Sequence, residues 1–158
     1  MVPMSYHAVP RSWAPALALL LAACGNEPSA PPSLDGSYAL QASASGNFAS
    51  VPSLSVRCSA EGTLAVTGTE GDYAVQGPVR IVRQAVERTD TLAVNLSFNV
   101  QGGQVASTSP AAHEFRPTAT SPERLSGSWT CGMFRLRRSN GSEDTLVVRG
   151  GWNADRVR

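Results

Sequence analysis

Between Thr91 and Val100 the chain alternates without a break. Leu92, Val94, Leu96, Phe98 and Val100 are apolar, and Thr91, Ala93, Asn95, Ser97 and Asn99 between them are small or polar. Successive side chains of a strand point to opposite faces, so this period predicts an antiparallel strand with one face buried and one wet. The same period returns at Tyr38 and Leu40, at Leu54, Val56 and Cys58, at Leu64 and Val66, at Tyr73 and Val75, and at Leu146 and Val148. Turn formers punctuate these runs at Glu61-Gly62, Glu70-Gly71-Asp72, Gln101-Gly102-Gly103 and Asn140-Gly141. Seven or eight short strands are expected. A length of 158 residues suits one core, and 14 Gly with 11 Pro at only 16% charged residues suit a turn-rich β protein.

Three stretches need more argument. Pro78 to Val86 places Val79, Val82 and Val86 at helical spacing, but its β-branched content and missing N-cap favour a strand with a bulge. Trp129 and Cys131 occupy odd positions whereas Phe134 and Leu136 occupy even ones, which predicts a bulge near Gly132 where the inward face switches. From Gln104 to Glu123 the chain turns polar, with Pro110, Pro117 and Pro122 and Phe115 as its large apolar residue. A long loop holding at most one short strand is expected there.

The first residues read as an address. An apolar stretch from Trp13 to Ala23 follows Arg11, is interrupted by Pro15 and ends at Cys24. As a helix it would reach roughly 18 Å, short of the roughly 30 Å of a hydrocarbon core, so it reads as an export signal and not a membrane span. The tetrapeptide Leu21-Ala22-Ala23-Cys24 resembles the lipobox of bacterial lipoproteins. That resemblance implies a diacylglyceryl group on the Cys24 thiol, cleavage after Ala23 and acylation (palmitate or a similar chain) of the new amino group. Residues 1–23 are then signal peptide and 24–34 a lipidated Cys with a Pro/Ser-rich tether. The β body spans 35–152 and a polar tail 153–158. By the same resemblance, Gly25 in place of an Asp favours passage to the outer membrane. The mature chain carries 12 Arg against 12 Asp plus Glu, so the lipid and not charge would hold it at the membrane. All 13 basic residues of the precursor are arginine and are scattered, with no run beyond Arg137-Arg138, which excludes a nucleic-acid footprint.

With Cys24 set aside, Cys58 and Cys131 form an even pair in an exported chain, and a disulfide is expected. Candidate chemistry is otherwise scarce. His113, beside Glu114, is the single histidine after the signal, no Gly-x-Ser-x-Gly elbow occurs, and the usual zinc ligand sets are missing. Neither cofactor nor metal is expected, and an enzyme is disfavoured. The acidic turns Glu70/Asp72 and Glu143/Asp144 read as solvated hairpins, and the sequons at Asn95 and Asn140 as bare in a bacterial envelope. Phe134-Arg135-Leu136-Arg137-Arg138, with Arg149 on the next strand, reads as the wet face of a late strand.

The fold expected is all-β, a single antiparallel meander of seven to eight strands closed as a barrel, with a β-sandwich as the alternative. Gly36-Ser37-Tyr38 resembles the Gly-x-Trp entry of lipocalin-like barrels, with Tyr in the place of Trp. The function expected is non-enzymatic binding, of a small apolar ligand or of a protein partner. The alternative is inhibition of an envelope or extracellular hydrolase through the 104–123 loop.

Overall fold

Eight strands carry the chain from Gly36 to Arg156: β1 (Gly36–Phe48), β2 (Val51–Thr69), β3 (Asp72–Ala85), β4 (Arg88–Gln101), β5 (Gln104–Ser107), β6 (Glu114–Thr120), β7 (Arg124–Arg137) and β8 (Glu143–Arg156). The computed structural model describes residues 29–85, 88–107 and 114–158. The segment expected to be a signal peptide, Cys24 and His113 lie outside the described residues.

Each strand pairs antiparallel with its neighbours in the order β5-β4-β3-β2-β1-β8-β7-β6. Because β8 returns to β1, this meander curls into a barrel that is closed everywhere except between β5 and β6. It is the expected all-β barrel and not the alternative sandwich. One end, the tether end, holds the start of β1, the β2–β3, β4–β5 and β6–β7 turns, and the end of β8. The far end holds the β1–β2, β3–β4 and β7–β8 turns. Gly102 and Gly103 both take positive φ in the two-residue β4–β5 turn, the geometry that matches the right-handed twist of the flanking strands.

Alternation decides what lies inside. Tyr38, Leu40, Val56, Leu64, Val66, Val75, Ile81, Phe98, Phe115, Leu125 and Trp129 are buried, while their chain neighbours Ser37, Gln41, Arg57, Thr63, Gln76, Arg80, Asn99 and Ser128 face outward. The centre is occupied by rings: Phe115 stacks on Trp129 at 5.6 Å between centroids, and Phe98 and Phe115 meet Trp152 edge-on at 6.4 and 6.1 Å.

Several elements differ from the sequence reading. Glu61-Gly62 makes no turn, and β2 runs through it for 19 residues. The even positions Val56, Cys58, Ala60, Leu64 and Val66 stay on one face throughout. Gly62 is there because a Cβ would stand 2.3 Å from the Pro78 carbonyl oxygen, and one at Gly77 2.3 Å from that of Thr63. The two glycines thus permit the close crossing of β2 and β3 at a bend of the wall. Pro78 lies in a regular strand; pairing resumes from Gly62–Val79 to Ala65–Gln76 in the same register, so the expected bulge is missing. The 104–123 segment holds two strands, not at most one, because Phe115 turns inward on β6 among polar residues that hide its alternation. Residues 153–156 are not a tail: they continue β8, with Ala154 fully buried. The tether likewise ends earlier than residue 34, since Leu34 is buried and its N–H donates to the Gly68 oxygen at 2.9 Å.

The bulge near Gly132 is present. The β7–β8 register slips between Thr130 and Gly132, leaving Cys131, inward in step with Trp129, as the extra residue and switching the inward face to Phe134 and Leu136 beyond it. There it meets Cys58 in a disulfide with the two Cα atoms 6.3 Å apart. The bridge joins β2 to β7, strands separated by β1 and β8, so it spans the barrel interior and does not link neighbours. Ala44 and Gly150, which pair with each other and lie between the two cysteines in the sheet, are small enough to let the wall fold that tightly.

Candidate functional site

The unpaired margin between β5 and β6 is where this barrel can take something up. β5 has four residues and β6 seven, and among the described residues each pairs with a neighbouring strand on one side only. Strand edges of this kind present backbone donors and acceptors to an incoming chain. A cleft of about 370 Å³ runs along the margin, lined by Gln104, Val105, Phe115, Pro117, Thr118 and Ser128. A second hollow of about 320 Å³ continues it toward the tether end, between Tyr73, Val105, Pro117 and Thr120.

Local chemistry explains why this margin stays open. Pro117 has no N–H to give, and the β6–β7 register slips between Pro117 and Ala119, so β6 is bent away from a regular ladder. Across the interior the Tyr73 hydroxyl on β3 meets the Thr120 hydroxyl of β6 at 3.1 Å and ties the margin to the opposite wall. Burial pushes the Tyr73 hydroxyl above its ordinary range, and the Thr120 bond only partly offsets this, so it stays protonated at neutral pH. On the outer side of β6 Arg116 pairs with Glu114. Both are well exposed, so this contact contributes little to stability.

Behind the cleft lies the ring cluster of Phe98, Phe115, Trp129 and Trp152. The indole nitrogens of Trp129 and Trp152 are buried without a hydrogen-bond partner among the described residues. A buried unpaired donor costs about 1–3 kcal/mol, so the structure keeps these two groups at a cost directly beneath the open margin.

At the tether end, the Tyr38 hydroxyl lies 3.1 Å from the Leu34 carbonyl oxygen and 2.9 Å from that of Pro122, donating toward both. It ties the entering chain to the β6–β7 turn. Asp35 accepts the Gly68 N–H at 2.8 Å; that bond, then the Ser33 hydroxyl and the Arg156 charge, hold its carboxyl below the usual range. Asp155 is held low by Arg124 in the same region.

The sequence-derived candidates divide as follows. Cys58 and Cys131 are joined. Asp144 is engaged in structure: Ser50, whose N–H donates to it at 2.9 Å, holds its carboxyl below the usual range. Asn140 folds its own turn, accepting from the Ser142 N–H and hydroxyl. Among the described residues no three His, Cys, Asp or Glu side chains gather around a metal-sized space, so Glu70 and Asp72 find no third ligand. Arg135, Arg137 and Arg149 face outward as expected. The open margin itself was missed, since Val105 and Phe115 lie too far apart among polar residues to mark two strands. Arg83 was missed as well. It faces inward in step with Val79 and Ile81, beside Cys58 in the β2–β3 register, and its Nε is buried without a partner among the described residues.

Compared with known proteins, the chain matches no family model, no curated protein and no solved structure.

Proposed function

We propose that this chain is a lipid-anchored protein of a bacterial cell envelope, favouring the outer membrane, that binds an extended segment of a protein partner along the open margin between β5 and β6. The observation that carries the binding reading is that margin: two short strand edges without partners, flanking a cleft of about 370 Å³. Backbone pairing supplies affinity in strand addition, and pockets for alternate side chains supply selectivity. The ring-filled centre supports a partner over an apolar small ligand carried inside. A hydrolase held by this same margin is the inhibitor form of the proposal.

Anchoring rests on Leu21-Ala22-Ala23-Cys24. At about 0.8 kcal/mol per buried methylene, two or more acyl chains hold a protein stably where one does not. The nine steps from Cys24 to Ser33 reach at most about 32 Å at 3.3–3.6 Å each, which keeps the barrel near the bilayer with its tether end inward. The outward face of the barrel is polar, the reverse of a membrane-spanning barrel, so lipid on Cys24 is the attachment the proposal requires.

Photocrosslinking residues placed at Val105 and Thr118, with a control at Thr63 on the opposite wall, test the binding site in the native host. One common partner peptide linked at the first two positions and missing at the third is expected. Equal linkage at Thr63 refutes the margin as the site. Fractionation of a Cys24→Ser precursor tests the anchor separately: it is expected to leave the membrane fraction.

A further inference from the structure

Six of the arginines in the described residues are ion-paired or hydrogen-bonded: Arg80, Arg88, Arg116, Arg124, Arg156 and Arg158. Arg57, Arg135, Arg137 and Arg149 face outward on the wall made by β2, β1, β8 and β7, in the half nearer the far end, and enter no ion pair or side-chain hydrogen bond. Two of these, Arg57 and Arg149, border a depression of about 510 Å³ floored by Ser43, Ala44, Ser45 and Gly150.

The register explains the convergence. Arg57 pairs with Ser45 on one side of β1, and Arg149 stands one step beyond the Ala44–Gly150 pair on the other. With strands about 4.8 Å apart, the two Cα atoms lie roughly 10 Å apart, a gap that two arginine side chains close over Ser45. Gly151, paired with Ser43, offers no side chain to fill the space. The nearest outward carboxylate on β2, Glu61, is already bonded to Arg80 at 3.0 Å.

We infer that this depression is a binding site for a phosphate group. A carboxylate offers two oxygens and is satisfied by one guanidinium fork. A group taken between two forks, with the Ser43 and Ser45 hydroxyls below, needs acceptors on several sides, which phosphate or a phosphodiester has. The site lies on the outer wall, away from the β5–β6 margin, and stands whether or not that margin binds a partner. The same chemistry reaches it from free phosphate or from a phosphodiester of a lipid headgroup or envelope polymer.

Inorganic phosphate is titrated into the purified full-length protein and followed by NMR of backbone amides and arginine Nε groups. Ser43, Ser45, Arg57 and Arg149 are expected to shift along one saturable curve. Arg57→Gln and Arg149→Gln are each expected to weaken binding by about tenfold or more, and Arg135→Gln by less than about twofold. Gly151→Glu places a carboxylate beside Ser43. Its Cβ meets only the Gly127 carbonyl oxygen, at 3.7 Å, so it is expected to abolish binding without disturbing the fold. In a second arm, glycerophosphoglycerol binding more tightly than phosphate assigns a phosphodiester source, and the reverse order assigns free phosphate. No saturable shift with either probe, acetate binding as tightly as phosphate, or shifts unchanged in the Arg57→Gln/Arg149→Gln variant overturns the site.

Discussion

Replacing both Cys58 and Cys131 by alanine removes a cross-link that closes 73 residues of chain. In the chain-entropy account a loop of that length contributes about 4 kcal/mol, with measured bridges ranging from roughly 0 to 5. The high end is expected here because the bridge spans the barrel between non-adjacent strands and its loop contains β3, β4, β5 and β6, including the two strands that do not pair. Among the described residues no ladder pairs β5 with β6, and the polar link across that side is the single Tyr73–Thr120 hydroxyl contact. For about 125 ordered residues at roughly 2.1 cal/mol/K each, 4 kcal/mol corresponds to a loss of roughly 15 °C in Tm. Urea unfolding of the oxidised protein and the double alanine variant measures the difference. The variant is also expected to show a larger m, because its unfolded chain is less compact. A difference below about 1 kcal/mol with unchanged m would refute the reasoning and place the closure of the barrel in side-chain packing alone.

Three further outcomes are expected. The carboxyls of Asp35, Asp144 and Asp155 are held below their ordinary range, so the native state binds fewer protons than the unfolded chain as pH falls toward 4 and below. Their contribution is present at neutral pH and is lost as pH drops through the depressed values; urea midpoints between pH 6 and pH 2.5 check this, and the triple Asn variant is expected to show a flatter profile. Tyr38→Phe leaves the Leu34 and Pro122 carbonyls without their shared donor and is expected to cost about 1 kcal/mol, with faster amide exchange confined to the entering chain and the β6–β7 turn. Gly77→Ala forces a Cβ to 2.3 Å from the Thr63 carbonyl oxygen and is expected to destabilise by about 2 kcal/mol or more, whereas Gly151→Ala, with open space on its side, stays within about 0.5 kcal/mol by the same unfolding assay.

What the sequence disclosed follows from how strongly each segment displays its period. β4 is legible because five large apolar residues fall on one parity without interruption, and β7 because a parity switch at Cys131 has no other cheap explanation than an extra residue. β5 and β6 are illegible because each turns one large apolar residue inward, too few to establish a period. The break read at Glu61-Gly62 rested on a local preference that the pairing of β2 with β1 and β3 overrides. A count of eight strands emerged partly by compensation: two pairs of short runs merged into β2 and β3 while the polar stretch supplied two strands. The disulfide partners were legible from parity of number, but not that they lie across the interior. The open margin and the Arg57–Arg149 depression depend on register between strands, which no single stretch of chain encodes.

The hydrogen bond from the Val157 N–H to the Ser37 oxygen sets the last residues of the chain beside the start of β1. A purification tag or reporter fused after Arg158 would therefore emerge at the same end of the barrel as the incoming segment before β1, beside the β2–β3 and β6–β7 turns. Rejoining 158 to 33 through a short linker and cutting between 107 and 114 would give a circular permutant whose new ends are β5 and β6, the two strands that do not pair with each other. In that rearranged chain the body keeps every ladder it now has, and its loosest border becomes its pair of termini.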